Sequence, residues 1–287
     1  MPPCPAPSPG SAPCDGPVPN LPGMRAGRPL RGLRALALLL VVLLPTCGTV
    51  VRLPPPPAQP GVHAQVLGIP NARFWLDADD EVLRAEARQV LERETAARGG
   101  RPLPPARFLA LSGGADNGAF GAGLLTGWTQ AGDRPAFNVV TGISAGSLIA
   151  PFAFLGPDYD PQLEDVFTNV APADVMRMRR IVSILVSGAA LLDTTPLARL
   201  IERHADERML AAIATEYRRG RLLLIGTTNL DLQRPVVWNI GAIAASGHPQ
   251  ALTLFRQILL ASSSIPGVFP PVLIDVEQDG RRFQEMH

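Results

Sequence analysis

The sequence predicts an α/β domain over residues 106–287, with three α/β/α layers around a mostly parallel central sheet. Three observations carry that reading. Apolar runs of strand length alternate with longer stretches of helical period, the order that produces parallel strands joined by helical crossovers. Two strand-to-helix junctions, at 113–118 and 142–146, are rich in glycine. Proline is segregated, with 16 of 31 in the first 60 positions, so the N-terminal part reads as tail and linker rather than core.

Residues 1–46 read as a dispensable leader. Residues 1–23 are rich in Pro, Ser and Gly and cannot bury a core. Met24 is the expected true start: Arg25, Arg28, Arg31 and Arg34 form a basic n-region, and 35–44 is an apolar h-region too short for a comfortable transmembrane helix. Leu44-Pro45-Thr46-Cys47 then resembles the lipobox of bacterial lipoproteins, which makes Cys47 the expected lipidation site. Plain secretory cleavage is the second option and an uncleaved anchor reaching Val51 the third. The expected location is the bacterial cell envelope, with the protein exported and anchored to a membrane. Cys4 and Cys14 lie upstream of Met24 and no cysteine follows Cys47, so the exported domain would hold no disulfide.

Residues 47–105 read as a tether and an N-terminal helix. Pro54 to Pro57 form a stiff spacer that would hold the domain off a membrane surface. A helix is expected over 80–98, with Val82, Leu83, Val90 and Leu91 as its apolar contacts, and Gly99-Gly100 ends it. The net charge of +1, from 26 basic and 25 acidic residues, argues against a nucleic-acid partner.

The catalytic signals begin at 107–112, an apolar strand that runs into Gly113-Gly114-Ala115-Asp116-Asn117-Gly118 and then a helix. Strand, glycine loop and helix make an anion cradle of converging backbone N–H groups. A phosphate loop fits poorly, because there is no G-K-[ST] ending and the glycine spacing is not that of a dinucleotide fingerprint. The second junction is sharper. After the strand 138–141 comes Gly142-Ile143-Ser144-Ala145-Gly146, and 147–150 can start a helix. A G-x-S-x-G there places a serine on a tight turn, its glycines removing Cβ atoms where the backbone doubles back. An oxyanion hole paired with Ser144 accounts for both junctions and points to acyl transfer.

A Ser-His-Asp hydrolase would also need a histidine. His204 lies in an Arg/Glu/Asp-rich helical stretch and reads as a solvated surface residue. His248 lies in a Ser-Gly-His-Pro turn, and His287 is the last residue given. None has a catalytic context, so a triad takes second place.

These blocks together resemble the patatin-like phospholipases, which use a Ser–Asp dyad. Residues 111–120 resemble the family's glycine-rich oxyanion loop, 140–146 its nucleophile elbow, 226–231 a central strand and its exit, and 261–271 the Ser-then-Pro segment that precedes the catalytic aspartate. The resemblance runs from about residue 107 to the C-terminus and implies a patatin-like fold. It also implies Ser144 as nucleophile, an oxyanion hole at Gly113, Gly114 and Ala115, and membrane phospholipid or another acyl ester as substrate. Two positions depart from the family: Ala115 stands for a third glycine and Asn117 for a basic residue.

The acid is the larger departure. The family's aspartate begins a D-G-G or D-G-A, and the one Asp-Gly in this region is Asp279-Gly280, followed by Arg281. Residues 273–287 read instead as a hairpin turning at Asp279-Gly280. The expectation is that its second strand leads into the true motif and that the sequence stops short of it.

The remaining elements follow in order. Thr195-Pro196 opens one helix and 207–219 forms another; 221–227 and 236–240 are strands, and 249–260 is the last helix. Met176, Met178 and 181–186 could form an apolar lid, with an ordinary core helix as the plainer reading. No His/Cys/Asp/Glu cluster has metal-ligand spacing, and no cofactor is expected. The rival to the hydrolase is a catalytically silent envelope lipoprotein that keeps the fold as a binding scaffold.

Overall fold

A computed structural model describes residues 52–57, 64–78, 80–168, 177–178 and 192–287, with the backbone alone at 168, 177, 178 and 192. The leader, Met24, the h-region and Cys47 lie outside the described residues, as do Met176 and 181–186. Among the described residues no helix is long and apolar enough to cross a membrane.

The central sheet has five strands. They are β1 (Arg73–Trp75), β2 (Phe108–Leu111), β3 (Val139–Gly142), β6 (Leu222–Asn229) and β7 (Arg234–Asn239), in the spatial order β1-β7-β6-β3-β2. Strands β2, β3 and β6 pair in parallel; β7 is antiparallel to both β6 and β1. Four of the five strands therefore run the same way, and the sheet is mostly parallel with one reversed member. The reversal has a simple cause. Residues 230–233 are too few for a crossover, and the Asn229 side chain closes the turn by accepting from Leu232 N–H at 2.9 Å. Counting 236–240 among strands alternating with helices missed this.

Helices lie around the sheet: α1 (Asp80–Ala97), α2 (Gly118–Ala131), α3 (Ala145–Leu155), α4 (Asp160–Thr168), α5 (Thr195–His204), α6 (Glu207–Arg218), α7 (Ile240–Ala245) and α8 (Ala251–Ser263). The fold is thus α/β with a mostly parallel central sheet. Two short strands, β4 (Arg177–Met178) and β5 (Leu192–Asp193), pair antiparallel apart from it. The hairpin of β8 (Leu273–Gln278) and β9 (Arg281–Met286) turns at Asp279 and Gly280, with φ 52° and 70°, as an Asp-Gly turn requires.

The core gathers Val140, Leu223, Ile225, Trp238, Phe154, Ile213 and Phe255 from strands and helices alike. Several local expectations shift. On α1, Val90 is buried, but Val82 and Leu91 are exposed, and the side facing the domain buries Glu86. That carboxylate accepts from Asn71 Nδ2 at 2.9 Å, Arg93 Nη2 at 2.8 Å and Tyr217 Oη at 2.8 Å, which is what makes its burial tolerable. Asp206 caps α6, accepting from Met209 N–H at 2.8 Å. The short α7 starts where a strand was expected to end, because the Asn239 side chain accepts from Ala242 N–H and opens a helix. The start of the proline spacer lies along β9, with Pro54 C=O accepting from Gln284 N–H at 3.2 Å and Arg52 forming a bidentate pair with Asp231.

Candidate active site

Ser144 is the last residue before α3, at the C-terminal end of β3, with φ 54° and ψ −126°. A residue with a Cβ rarely adopts such a backbone, and holding it there costs on the order of 1–3 kcal/mol. The surroundings hold it by close main-chain contact. A Cβ on Gly142 would lie 2.8 Å from the Gly146 carbonyl carbon and 2.9 Å from Ala150 Cβ. A Cβ on Gly146 would lie 2.6 Å from the Leu111 carbonyl carbon and 2.7 Å from the Ser112 oxygen. Neither glycine has room for any side chain, so strand, turn and helix can meet only with glycine at both positions.

Hydrogen bonds complete the turn. The Ser144 carbonyl accepts from Ser147 N–H at 2.8 Å and from Ser147 Oγ at 2.6 Å, and Gly146 N–H donates to the Ile143 carbonyl at 2.9 Å. Ser144 N–H donates to Ser262 Oγ at 3.0 Å, and that hydroxyl donates in turn to the Gly226 carbonyl at 2.7 Å. Ser262 thus ties the elbow to the central strand β6. The sequence displayed the serine run 262–264 but not this duty, which depends on a contact 118 residues away.

The glycine loop lies against the serine. A Cβ on Gly113 would stand 3.0 Å from Ser144 Cβ and 3.6 Å from its Oγ. Among the described residues, the N–H groups of Gly113, Gly114, Ala115 and Ala145 donate to no backbone carbonyl outside the regular elements. Ala115 has φ 45°, a left-handed conformation that favours glycine. A 3₁₀ turn (Ala115–Asn117) then leads into α2.

Two cavities border Ser144. One, of ≈ 440 Å³, includes Ala115 and Asp116; the other, of ≈ 320 Å³, includes Thr227, Thr228 and His287.

The three histidines that follow Ser144 fare differently from one another. His248 serves its turn, Nδ1 accepting from Gln250 N–H at 3.1 Å. His204 is not a solvated surface residue: its side chain is 10% exposed, 3.3 Å from Asp165, with its ring edge-to-face with Phe152. Burial lowers its pKa below the ordinary 6.5, against the pull of Asp165.

His287 is buried in the wall of the serine's second cavity. Trp238 Nε1–H donates to Thr227 Oγ1 at 2.8 Å, which leaves the threonine proton for His287 Nδ1 at 3.0 Å. The ring proton then sits on Nε2, 3.3 Å from Glu285, whose carboxylate is also paired with Arg73. Burial pushes the His287 pKa below 6.5, partly opposed by Glu285. For Glu285 itself burial pushes upward, but the hydrogen bonds from His287 and Arg73 prevail and hold it at about 2. With both ring nitrogens engaged, His287 has no free site to take a proton from Ser144.

Asp279 stands at the closed end of the hairpin, six residue pairs from the open end, where His287 pairs with Val272. Six residues of strand span about 20 Å, so the Asp279 end lies far from the end that lines the serine's cavity. Among the described residues no carboxylate is hydrogen-bonded to Ser144, and no group of three or more His, Cys, Asp or Glu could hold a metal ion.

The family model of the patatin-like phospholipases matches residues 109–284, more than half of the chain. The chain belongs to the patatin-like phospholipase family. The match spans the glycine loop, the elbow, β6 and the hairpin up to Gln284. Patatin-like phospholipases are in general lipid acyl hydrolases, which supports a hydrolase at family level. A search of curated proteins finds no match.

Proposed function

We propose that the chain is a serine acyl hydrolase of the Ser–Asp type, acting on phospholipid or another acyl ester at a membrane surface. The observation that carries this is the strained elbow of Ser144, locked by Gly142 and Gly146 against the glycine loop. A serine held at φ 54° by so many contacts stands at the very start of its helix and borders both cavities.

In the proposed reaction Ser144 Oγ attacks the ester carbonyl while a carboxylate takes its proton. The N–H groups of Gly113, Gly114 and Ala115, with that of Ala145 at the start of α3, receive the developing oxyanion. The alcohol leaves with the proton, and water then releases the acid from the acyl-serine. The base is proposed to be an aspartate, as the resemblance to the Ser–Asp family implies. The n-region, h-region and Cys47 of the leader support a membrane-tethered placement, which would bring the elbow to its substrate.

The experiment is labelling with a small fluorophosphonate, comparing the wild type with Ser144→Ala. Loss of label in the variant is expected. Equal labelling of both would remove the serine from the chemistry and leave a silent scaffold as the better account.

A further inference from the structure

Asp116 is the one acidic side chain that lines either cavity beside Ser144 among the described residues, and no arginine among them lines either. It stands in the 3₁₀ turn between the glycine loop and α2, next to Ala115. Its carboxylate has no hydrogen-bond or ion-pair partner among the described residues. A negative charge just ahead of α2 gains from the helix dipole. The same charge opposes any oxyanion that forms at the adjoining N–H groups, because like charges repel across a small cavity. A positive charge brought in by the substrate would remove that conflict.

The cavity is otherwise built for such a charge. Phe167 of α4 and Phe269 line it together with Asp116. Phe167 packs on the turn itself: a Cβ on Gly118, two residues after Asp116, would lie 2.8 Å from Phe167 Cε1 and 3.0 Å from Ala145 Cβ. An alkylammonium group has apolar methyl or methylene surface around a diffuse charge. Aromatic rings and a mostly apolar wall accept that surface, and one carboxylate balances the charge.

We propose that this cavity takes an alkylammonium group of the substrate, and that Asp116 makes the enzyme select esters of cationic alcohols over anionic ones. This rests on Ser144 as the nucleophile. As Ser144 Oγ bonds to the carbonyl carbon, the ester C–O bond breaks, and the ammonium alcohol leaves with the proton that the serine gave up. Water then releases the acid. The ammonium group makes and breaks no bond; it offsets Asp116 while charge develops on the carbonyl oxygen.

The experiment compares three thiobutanoate esters by the same release of thiol: that of thiocholine, that of its uncharged isostere 3,3-dimethylbutanethiol, and that of anionic 3-mercaptopropanoate. For a solvated charge pair within one cavity, kcat/KM should favour the thiocholine ester over the isostere about tenfold and disfavour the anionic ester. Asp116→Asn keeps the shape of an exposed side chain and should reduce the thiocholine-to-isostere ratio about fivefold or more. Added salt should compress the ratio in the wild type and leave it unchanged in the variant. A wild-type ratio of one or less, or a ratio that Asp116→Asn does not move, overturns the proposal. Lysophosphatidylcholine and lysophosphatidylglycerol of equal chain length separate the two sources of the group. An Asp116-dependent preference for the choline lipid identifies a lipid head group, and a preference confined to the thiocholine ester identifies a small cationic ester.

Equal fluorophosphonate labelling of wild type and Ser144→Ala would remove the nucleophile and not the cation site. Calorimetric binding of benzyltrimethylammonium then decides. Binding by the wild type that weakens about fivefold or more in Asp116→Asn supports the site. No binding by the wild type, or binding indifferent to Asp116, refutes it.

Discussion

Around Ser144 the chain keeps its shape by main-chain contact. Gly142 and Gly146 touch neighbouring backbone, and the hydrogen bonds that close the turn use backbone of residues 143–147. In the side-chain network that reaches the adjoining cavity through Thr227 and His287 the method is the opposite. Arg73 of β1, Thr227 of β6, Trp238 of β7 and Glu285 of β9, with His287 just beyond, are joined through side chains drawn from four strands. The first device is local and sterically rigid, and the second is long-range and electrostatic. They should therefore fail in different ways: the elbow to an added methyl group, the network to a lost charge or a change of pH.

The network carries the largest expected effect. Arg73 and Glu285 side chains are 6% and 2% exposed, so removing one charge leaves the other buried and alone. Glu285→Gln should cost about 3–5 kcal/mol, the usual penalty for breaking a buried pair by removing one partner. In a folded unit of this size that lowers Tm by roughly 2–4 °C per kcal/mol. The pH dependence sharpens the point. The Glu285 pKa falls from 4.5 to about 2 on folding, so its stabilisation is complete above 4.5 and is lost as pH falls from 4.5 towards 2. His287 is also depressed below 6.5, so the unfolded chain takes up that proton first and stability begins to fall below 6.5. The wild type should lose stability in both ranges on acidification, and Glu285→Gln should lack the loss below 4.5. Thermal unfolding across pH 2 to 8 measures both, and an unchanged acid limb in the variant would show that Glu285 is not the titrating group.

The same contrast explains what could be read from the sequence. The elbow, the glycine loop and the Asp279-Gly280 turn are local patterns, each needing residues only a few positions apart. Side-chain volume and backbone angle act at that range, so spacing alone reveals them. Glu86, His204 and His287 were beyond reach because a polar residue is buried only when distant partners satisfy it. Those partners lie up to 131 residues away, as Tyr217 is from Glu86. The strand β1, three residues long, has too little sequence for a period. The reversed direction of β7 could have been read, since four connecting residues already exclude a crossover.

Gly146→Ala tests the steric side of the comparison and ranks second. The new methyl would press on backbone atoms of Leu111 and Ser112, which cannot rotate away as a side chain could. Overpacking of this kind costs about 1–3 kcal/mol, and the strain falls on the junction between β2 and the elbow. The variant should therefore lose fluorophosphonate reactivity out of proportion to its drop in Tm. A loss of stability with unchanged labelling would mean that the elbow relaxes without moving Ser144.

The smallest effect belongs to Ala115, where the glycine loop departs from its own steric logic. At φ 45° an alanine bears about 1–2 kcal/mol of left-handed strain. Glycine would relieve that strain but would add about 0.5–1 kcal/mol of chain entropy to the unfolded state. Ala115→Gly should thus stabilise the protein by under about 1 kcal/mol, a shift of only a few degrees in Tm. Labelling should discriminate more clearly. If the Ala115 N–H is an oxyanion donor, its direction is set by this strained angle, and glycine lets the loop settle around a tetrahedral adduct. Faster fluorophosphonate labelling in Ala115→Gly at nearly constant Tm would place the donor in the reaction. A gain in Tm with no gain in rate would leave the residue a strained turn and nothing more.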